Sequence, residues 1–168
     1  MSITFSELAP GHVAALSAHI DAVFDACVAP EFTPAGAQEF KRYSTPQSLG
    51  ERLGSISRIF VAHRGDELVG SLEVRGGSHI AMFFVAGNWQ RQGIGRKLLR
   101  WGVSQLRAQA PDLGALTVNA SPNAMGAYEA YGFTPDSPEQ EKNGIRFTPM
   151  TLAFEGTGAW VVQPEQDA

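Results

Sequence analysis

The chain is poor in cysteine and in charged residues, and both shortages limit the classes of protein it can belong to. Cys27 is the only cysteine in 168 residues, which excludes an internal disulfide and is compatible with a reducing compartment. Charged residues make up 18% of the chain and the net charge is −4. That balance argues against a general nucleic-acid-binding protein, because such a protein presents a basic surface. Hydrophobic residues make up 43%, as in a globular domain.

Targeting signals and metal-binding patterns are also lacking. Residues 1–5 have neither the basic region nor the long apolar run of a signal peptide. No apolar stretch approaches the roughly 20 residues needed to span a bilayer. We therefore expect a cytoplasmic protein with no membrane partner. No cluster of His, Cys, Asp and Glu has the spacing of metal ligands, so no metal is expected.

Hydrophobic periodicity predicts an α/β domain. Strand patterns cover residues 2–6, 59–62, 68–74, 79–85, 113–118 and 145–154. Helical spacing covers 10–28, 34–43, 46–54, the segment between Gly95 and Pro111, and 121–131. A three-strand meander followed by a strand–helix–strand crossover predicts a mixed sheet with helices on both faces. We assign residues 1–155 to one domain and 156–168 to a polar C-terminal tail, in which residues 160–162 could dock against the domain.

The most informative segment is the junction between the apolar strand 79–85 and the helix that follows it. Gly93 and Gly95 leave the backbone unshielded by a Cβ, and the first N–H groups of a helix have no partner within it. Such a junction is typical of a phosphate site. A nucleoside-triphosphate loop would end in Lys-Ser/Thr, which is missing, and a dinucleotide loop would have glycine at Leu98. An empty strand-to-helix turn is the remaining alternative.

Three motifs in this order resemble those of the GNAT superfamily of N-acetyltransferases. Residues 90–95, Gln-Arg-Gln-Gly-Ile-Gly, fit the Q/R-x-x-G-x-G/A pyrophosphate loop. Residues 128–133 resemble the Y-x-x-x-G-F segment, and residues 144–150 resemble the last strand of one bacterial subgroup. The resemblance covers roughly residues 2–154. The chain departs from the pattern at Gly87, where proline is frequent, and at Ser121, where many members carry an asparagine that contacts pantetheine.

This resemblance implies a mostly antiparallel sheet of six to seven strands that splays apart between the fourth and fifth strands. It also implies acetyl-CoA as the acetyl donor, with the pantetheine arm lying in the splay. The residues expected to bind the coenzyme are Phe83, Phe84, Val85, Gln90, Arg91, Gln92, Gly93, Ile94, Gly95, Arg96 and Tyr128. Either Asn119 or Asn123 is expected to replace the missing asparagine.

Catalytic roles follow from the same resemblance. Tyr128 is the candidate general acid for the departing thiolate, and a core tyrosine is the structural alternative. A general base is needed because an amine like that of lysine, with a pKa of about 10.4, is mostly protonated at neutral pH. His79 is the first candidate, since in a regular strand it shares a face with Phe83 and Val85. Glu73 on the preceding strand is the second.

The acceptor is not identified by the sequence. The resemblance implies a small-molecule amine or a peptide, and Phe32, Phe40, Tyr43 and Trp89 are candidates to shape its pocket, although each is also a plausible packing residue. No nucleic-acid partner is expected, and a homodimer through the last strands is common in such folds. The alternative function is a non-catalytic domain that binds or senses acyl-CoA.

Overall fold

One eight-stranded mixed sheet forms the centre of the computed structural model, which describes residues 2–154. The tail 156–168, with the segment 160–162, lies outside the described residues. The strands are β1 (Ile3–Glu7), β2 (Ser57–Arg64), β3 (Glu67–Arg75), β4 (His79–Val85), β5 (Ala115–Ala120), β6 (Thr134–Pro135), β7 (Gln140–Lys142) and β8 (Ile145–Ala153). Their order is β1-β2-β3-β4-β5-β8-β6, with β7 paired to β8, and only the β4–β5 pair is parallel.

The predicted mixed, mostly antiparallel sheet is therefore confirmed, with eight strands where six to seven were expected. The strands β6 and β7 have two and three residues, which is too short to produce a visible alternation of apolar and polar residues. The hairpin between β2 and β3 turns through Gly65 at φ 60°, and pairs Arg64 with Glu67. Its two-residue loop is the kind that a positive-φ glycine allows.

Within residues 2–154 five α-helices surround the sheet: α1 (Val13–Val23), α2 (Pro34–Tyr43), α3 (Pro46–Arg52), α4 (Ile94–Gln109) and α5 (Met125–Tyr131). A π-helical turn (Phe24–Val28) and a 3₁₀ turn (Ala29–Glu31) follow α1. The predicted starts of α2 and α3 are confirmed. The Thr33 side chain accepts a hydrogen bond from Gly36 N at 3.0 Å, and Thr45 accepts one from Ser48 N at 3.1 Å. In both helices proline occupies the first position, where its missing N–H costs nothing.

The two faces of the sheet carry separate cores, so the expected helices on both faces are confirmed. The first face packs α4 and α5 against the sheet, with Leu98, Leu99 and Val103 beside Phe60 and Leu72. The second face packs α1 and α3 against the sheet. Its buried members are Leu8, Leu16, Ile20, Leu49, Ile59, Val61 and Met82.

The first helical run, Pro10–Glu31, has 22 residues with a mean hydropathy of 1.4, so by length and composition alone it could cross a membrane. The expectation that no such stretch exists is wrong on that measure. Within the fold, 28% of the apolar window of this run is buried, and at most 1% of the surface of Leu16, Ile20 and Phe24 is exposed. The core helix of a globular domain meets the same criteria, so this feature alone does not assign the chain to a membrane.

Two irregularities in β4 position the candidate site. The register pairs Glu73 with Met82 and Val74 with Ile80, so Ala81 is an extra residue and forms a β-bulge. The parallel pairing of β4 with β5 is limited to His79 with Thr117 and Ile80 with Val118. Beyond Ile80 the two strands separate, which confirms the predicted splay.

Candidate active site

A cleft of about 880 Å³ occupies the opening between β4 and β5. Residues 81–85 of β4 form one wall. The Ala86 N–H donates to Val69 O on β3, and because successive residues of a strand point to opposite edges, the N–H and C=O of Val85 point toward β5. The Gln90 side chain confirms this direction, since its Nε2 donates to Val85 O at 2.9 Å. Beyond Ile80 this edge of β4 is therefore not paired with β5, and the Val85 N–H faces the cleft.

The glycine loop closes one end of this cleft. Arg91 and Gly93 have φ angles of 61° and 83°, a left-handed conformation that is rare for a residue with a side chain. Two such residues, separated by Gln92, turn nearby N–H groups toward a common point, as in an anion-binding nest. The first helical hydrogen bond runs from Lys97 N to Gly93 O at 3.1 Å. The N–H groups of residues 94–96 thus precede any intrahelical acceptor.

Gly95 is required for packing as well as for backbone access. A Cβ at this position would lie 2.5 Å from the Tyr131 hydroxyl and 3.5 Å from Val85 Cγ2. Tyr131 therefore packs directly against the start of α4. This contact brings the helix N-terminus and the aromatic residues of α5 to the same end of the cleft.

The two arginines of the loop differ in their surroundings. Arg91 is exposed and lines the cleft. Arg96 also lines the cleft, but its Nη2 donates to Ala130 O at 2.9 Å and its guanidinium lies 5.4 Å from the centre of the Tyr131 ring. Arg96 thus interacts with the last turn of α5, where a cation is favourable because of the helix dipole.

Asn119 and Asn123 both line the cleft, on opposite sides of the β5–α5 turn. Asn123 Nδ2 donates to Cys27 O at 2.9 Å, and Gln90 Nε2 lies 3.6 Å from Cys27 Sγ. These bonds connect the π-helical turn after α1 to both sides of the cleft. Asn119 is exposed on β5, and its side chain makes no hydrogen bond to another residue within 2–154.

Tyr128 lies in an aromatic cluster at the base of the cleft. Its ring centre is 5.2 Å from that of Phe133, 6.1 Å from Phe83 and 6.2 Å from Tyr131. It is 7% exposed and lines the cleft. Burial is the main cause that raises the pKa of Tyr128, with a smaller contribution from Tyr131. The phenol is therefore protonated throughout the neutral range and is available as a proton donor.

The bulge at Ala81 places His79 on a different face from the one expected. Ile80, Phe83 and Val85 all pack with the core under α4. His79, one residue before Ile80, points to the opposite face, and its Nδ1 lies 2.8 Å from Thr117 Oγ1. The prediction that His79 shares a face with Phe83 and Val85 is therefore wrong, because the extra residue reverses the alternation.

The position of His79 still adjoins the cleft. Its neighbour Ile80 is a lining residue, whereas His79 itself is not. Burial, and then the charge of Arg75, lower the pKa of the imidazole below its ordinary value. His79 is thus neutral at pH 7, which is the state that can accept a proton.

Glu73 lies away from the cleft, in a buried ion pair. Its carboxylate accepts from Arg52 Nε at 2.8 Å and Nη2 at 3.0 Å, and from Ser57 Oγ at 2.6 Å. Glu73 is 2% exposed and Arg52 is 7% exposed. The Arg52 guanidinium also lies 3.5 Å from the centre of the Tyr43 ring. The structure thus places Glu73, and with it Tyr43, in a packing role and does not bring either residue to the cleft.

The cleft has a further wall that the sequence pattern did not reveal as a unit. It is built from the end of α1, the π-helical turn, the segment before α2, α2 itself and the start of β8. Its residues include Val23, Cys27, Val28, Phe32, Phe40 and Ile145. Of the candidates for an acceptor pocket, Phe32, Phe40 and Trp89 therefore lie at the cleft, and Trp89 is held by a 2.7 Å bond from its Nε1 to Glu67. Residues 2–154 contain no group of three or more His, Cys, Asp or Glu that could hold a metal ion.

Within residues 2–154 the sheet thus opens between its one parallel pair of strands, beside a glycine loop that begins a helix. The model of the acetyltransferase (GNAT) domain family matches residues 28–154. The chain therefore belongs to the GNAT acetyltransferase family, as the three motifs predicted. None of the curated proteins matches this sequence.

Solved structures share the fold over most of their length. A GNAT-type protein from Rhodopseudomonas palustris has a TM-score of 0.77 at 20% identity, covering 91% of this chain and 96% of its own. The PaiA N-acetyltransferase of Thermoplasma acidophilum, solved with coenzyme A, has a TM-score of 0.74 at 16% identity, with coverage of 92% and 100%. The ribosomal-protein-S18-alanine N-acetyltransferase of Escherichia coli has a TM-score of 0.62 at 16% identity, with coverage of 94% and 97%.

Proposed function

We propose that this protein is an N-acetyltransferase that moves the acetyl group of acetyl-CoA to a primary amine by direct attack. The observation that carries the proposal is the cleft between β4 and β5, because it ends at the unshielded N–H groups of residues 91–96. Membership of the GNAT family supports it, as does the coenzyme A bound in the PaiA structure. The cytoplasmic location and the homodimer expected from the sequence stay predictions.

Coenzyme binding in this proposal uses two parts of the backbone. The diphosphate accepts hydrogen bonds from the loop N–H groups, each contributing about 1.5–3 kcal/mol because the acceptor is charged. The dipole of α4 adds about 0.3–1 kcal/mol. The pantetheine arm pairs with the free edge of residues 83–85, and Asn119, whose side chain is open to the cleft, contacts its amides. Arg91 supplies a further cation to the phosphates.

The transfer step needs an oxyanion site and a proton donor. The amine nitrogen attacks the thioester carbonyl carbon, and the N–H of Val85 stabilises the oxyanion that forms. The C–S bond then breaks, and the thiolate takes the proton of Tyr128, whose phenolate is reprotonated by the proton that the amine releases. A thiol of pKa about 8.5 and a phenol of about 10 differ by about 2 kcal/mol in free solution. Burial raises the pKa of Tyr128 further, and burial in the same cleft acts on the thiol in the same direction.

Before the attack, the protonated amine loses one proton by way of water in this proposal. The proton that returns to the Tyr128 phenolate is a second one, which the nitrogen releases after the C–N bond forms. No Asp, Glu or His lines the cleft among the described residues, so the base does not contact the amine directly. His79 is neutral and adjoins the cleft, and it accepts the proton through water. The apolar wall contributes as well, because desolvation favours the neutral form of an amine.

Acceptor-dependent release of free thiol from acetyl-CoA tests this function, with the acetylated product identified by mass. We expect thiol release that requires both an amine and the intact loop. Binding of acetyl-CoA without acceptor-dependent thiol release over a broad amine panel would instead favour the non-catalytic acyl-CoA sensor.

A further inference from the structure

The charges at the cleft are of one sign. Among the described residues that line it, the only Asp, Glu, Lys or Arg side chains are Arg91 and Arg96, and both lie at the loop end. The Glu31 carboxylate, next to Phe32 in the chain, bonds to the backbone of Asn123, its Oε2 is buried, and burial raises its pKa. A desolvated ammonium group without a partner costs several kcal/mol, since it loses its hydration and gains no opposite charge. An acceptor with two or more ammonium groups would leave at least one of them uncompensated here.

The wall opposite the loop is aromatic and aliphatic. Phe40 is at its centre: its ring stacks on Phe24 with the centres 4.1 Å apart, and it meets Phe84 edge to face at 5.9 Å and Phe32 at 6.4 Å. Phe84 belongs to β4 itself, so this cluster continues directly from the strand edge that would hold the thioester. Aromatic faces of this kind bind apolar and aromatic bodies by contact area and ring geometry.

A polar contact joins two segments of this wall to each other. The Thr33 side chain, which caps α2, lies 3.4 Å from Gly144 O at the β7–β8 turn. A Cβ on Gly36 would lie only 2.7 Å from the same oxygen, so the two segments are in close contact. Phe32 from one segment and Ile145 from the other therefore face the cleft from positions held together before a ligand binds.

We infer that the acceptor is a monoamine whose amino group is carried on an apolar or aromatic body, and not a polyamine or an aminoglycoside. This inference rests on the proposed function and specifies its substrate. The apolar body packs against Phe32, Phe40 and Ile145, while the amine points toward β4. A free arylalkylamine and a peptide with an apolar first residue share this chemistry.

A matched pair of amines tests the inference on the wild-type protein. Hexylamine and hexamethylenediamine have the same six-carbon chain, and they differ only in a terminal hydrogen against a second ammonium group. We expect kcat/KM for hexylamine to exceed that for the diamine by at least about 10-fold, the lower end of what one uncompensated polar group costs. Phenethylamine should resemble hexylamine, and spermidine should resemble the diamine. A phenylalanine-initiated peptide beside phenethylamine distinguishes the peptide from the small-molecule source.

Substitution at the wall tests the cause of the preference. Phe32→Asp adds a carboxylate to the side chains that line the cleft and should reverse the preference toward the diamine. Phe32→Leu keeps the wall apolar and should keep the preference for hexylamine. Calorimetric binding of acetyl-CoA shows whether each variant is folded. Equal or better use of the diamine by the wild type overturns the inference and leaves the proposed function standing. Intact acetyl-CoA binding with no thiol release from any amine overturns both.

Discussion

Replacing Gly93 with alanine should weaken acetyl-CoA binding without filling any space. Gly93 has φ +83°, and a Cβ added there meets nothing within 4 Å. The penalty is therefore conformational, because an L-residue in the left-handed region costs about 1–2 kcal/mol. If the exposed loop relaxes in the free protein, the coenzyme must restore the turn, and Kd rises by about 5- to 30-fold.

Gly87→Ala is the matched control, since Gly87 also meets nothing within 4 Å and does not have a positive φ. Calorimetric titration of acetyl-CoA into both variants and the wild type gives Kd, and denaturant unfolding gives any part of the penalty that appears in stability. For Gly93→Ala, the loss in binding free energy and the loss in unfolding free energy should together reach about 1–2 kcal/mol. The reasoning is refuted if Gly93→Ala matches Gly87→Ala in both measurements.

Three further predictions concern single side chains. Tyr128→Phe should slow turnover at saturating substrate and leave the Kd of acetyl-CoA unchanged, and an unchanged rate where chemistry limits turnover would remove Tyr128 from the mechanism. Glu73→Ala leaves the Arg52 guanidinium buried and unpaired, so chemical denaturation should show a loss of about 3–5 kcal/mol. Loss of activity at full stability would instead restore Glu73 as a base. Burial on α1 lowers the pKa of His19 to about 4, so below pH 6.5 the unfolded chain binds a proton that the folded chain does not. The free energy of unfolding of the wild type should therefore fall by about 3 kcal/mol between pH about 6.5 and pH about 4, and that of His19→Gln should fall by less. If the stability of His19→Gln depended on pH in the same way as that of the wild type, this would contradict the prediction.

The elements that form through local interactions could be predicted from the sequence. The starts of α2 and α3 follow from Thr-Pro pairs, whose hydroxyl caps and missing N–H act within one turn. The hairpin at Gly65 and the glycine loop before α4 depend on backbone conformations that glycine allows. The cleft could be predicted because the apolar strand and this loop are adjacent in the chain.

The features that the sequence did not reveal depend on residues far apart. Whether Glu73 is a base or an ion-pair partner depends on Arg52, which reaches it only after α3 packs on the sheet. The bulge at Ala81 is a mismatch between β4 and β3 and has no signature within β4 alone. The wall from Thr33 to Gly144 joins segments 111 positions apart.

Calorimetric titration of the wild-type protein with acetyl-CoA tests the central claim most directly. We expect saturable binding that coenzyme A displaces and that pantetheine, which lacks the diphosphate, reproduces only weakly, because the loop N–H groups bind the diphosphate. No heat of binding from a protein that still unfolds cooperatively would contradict it.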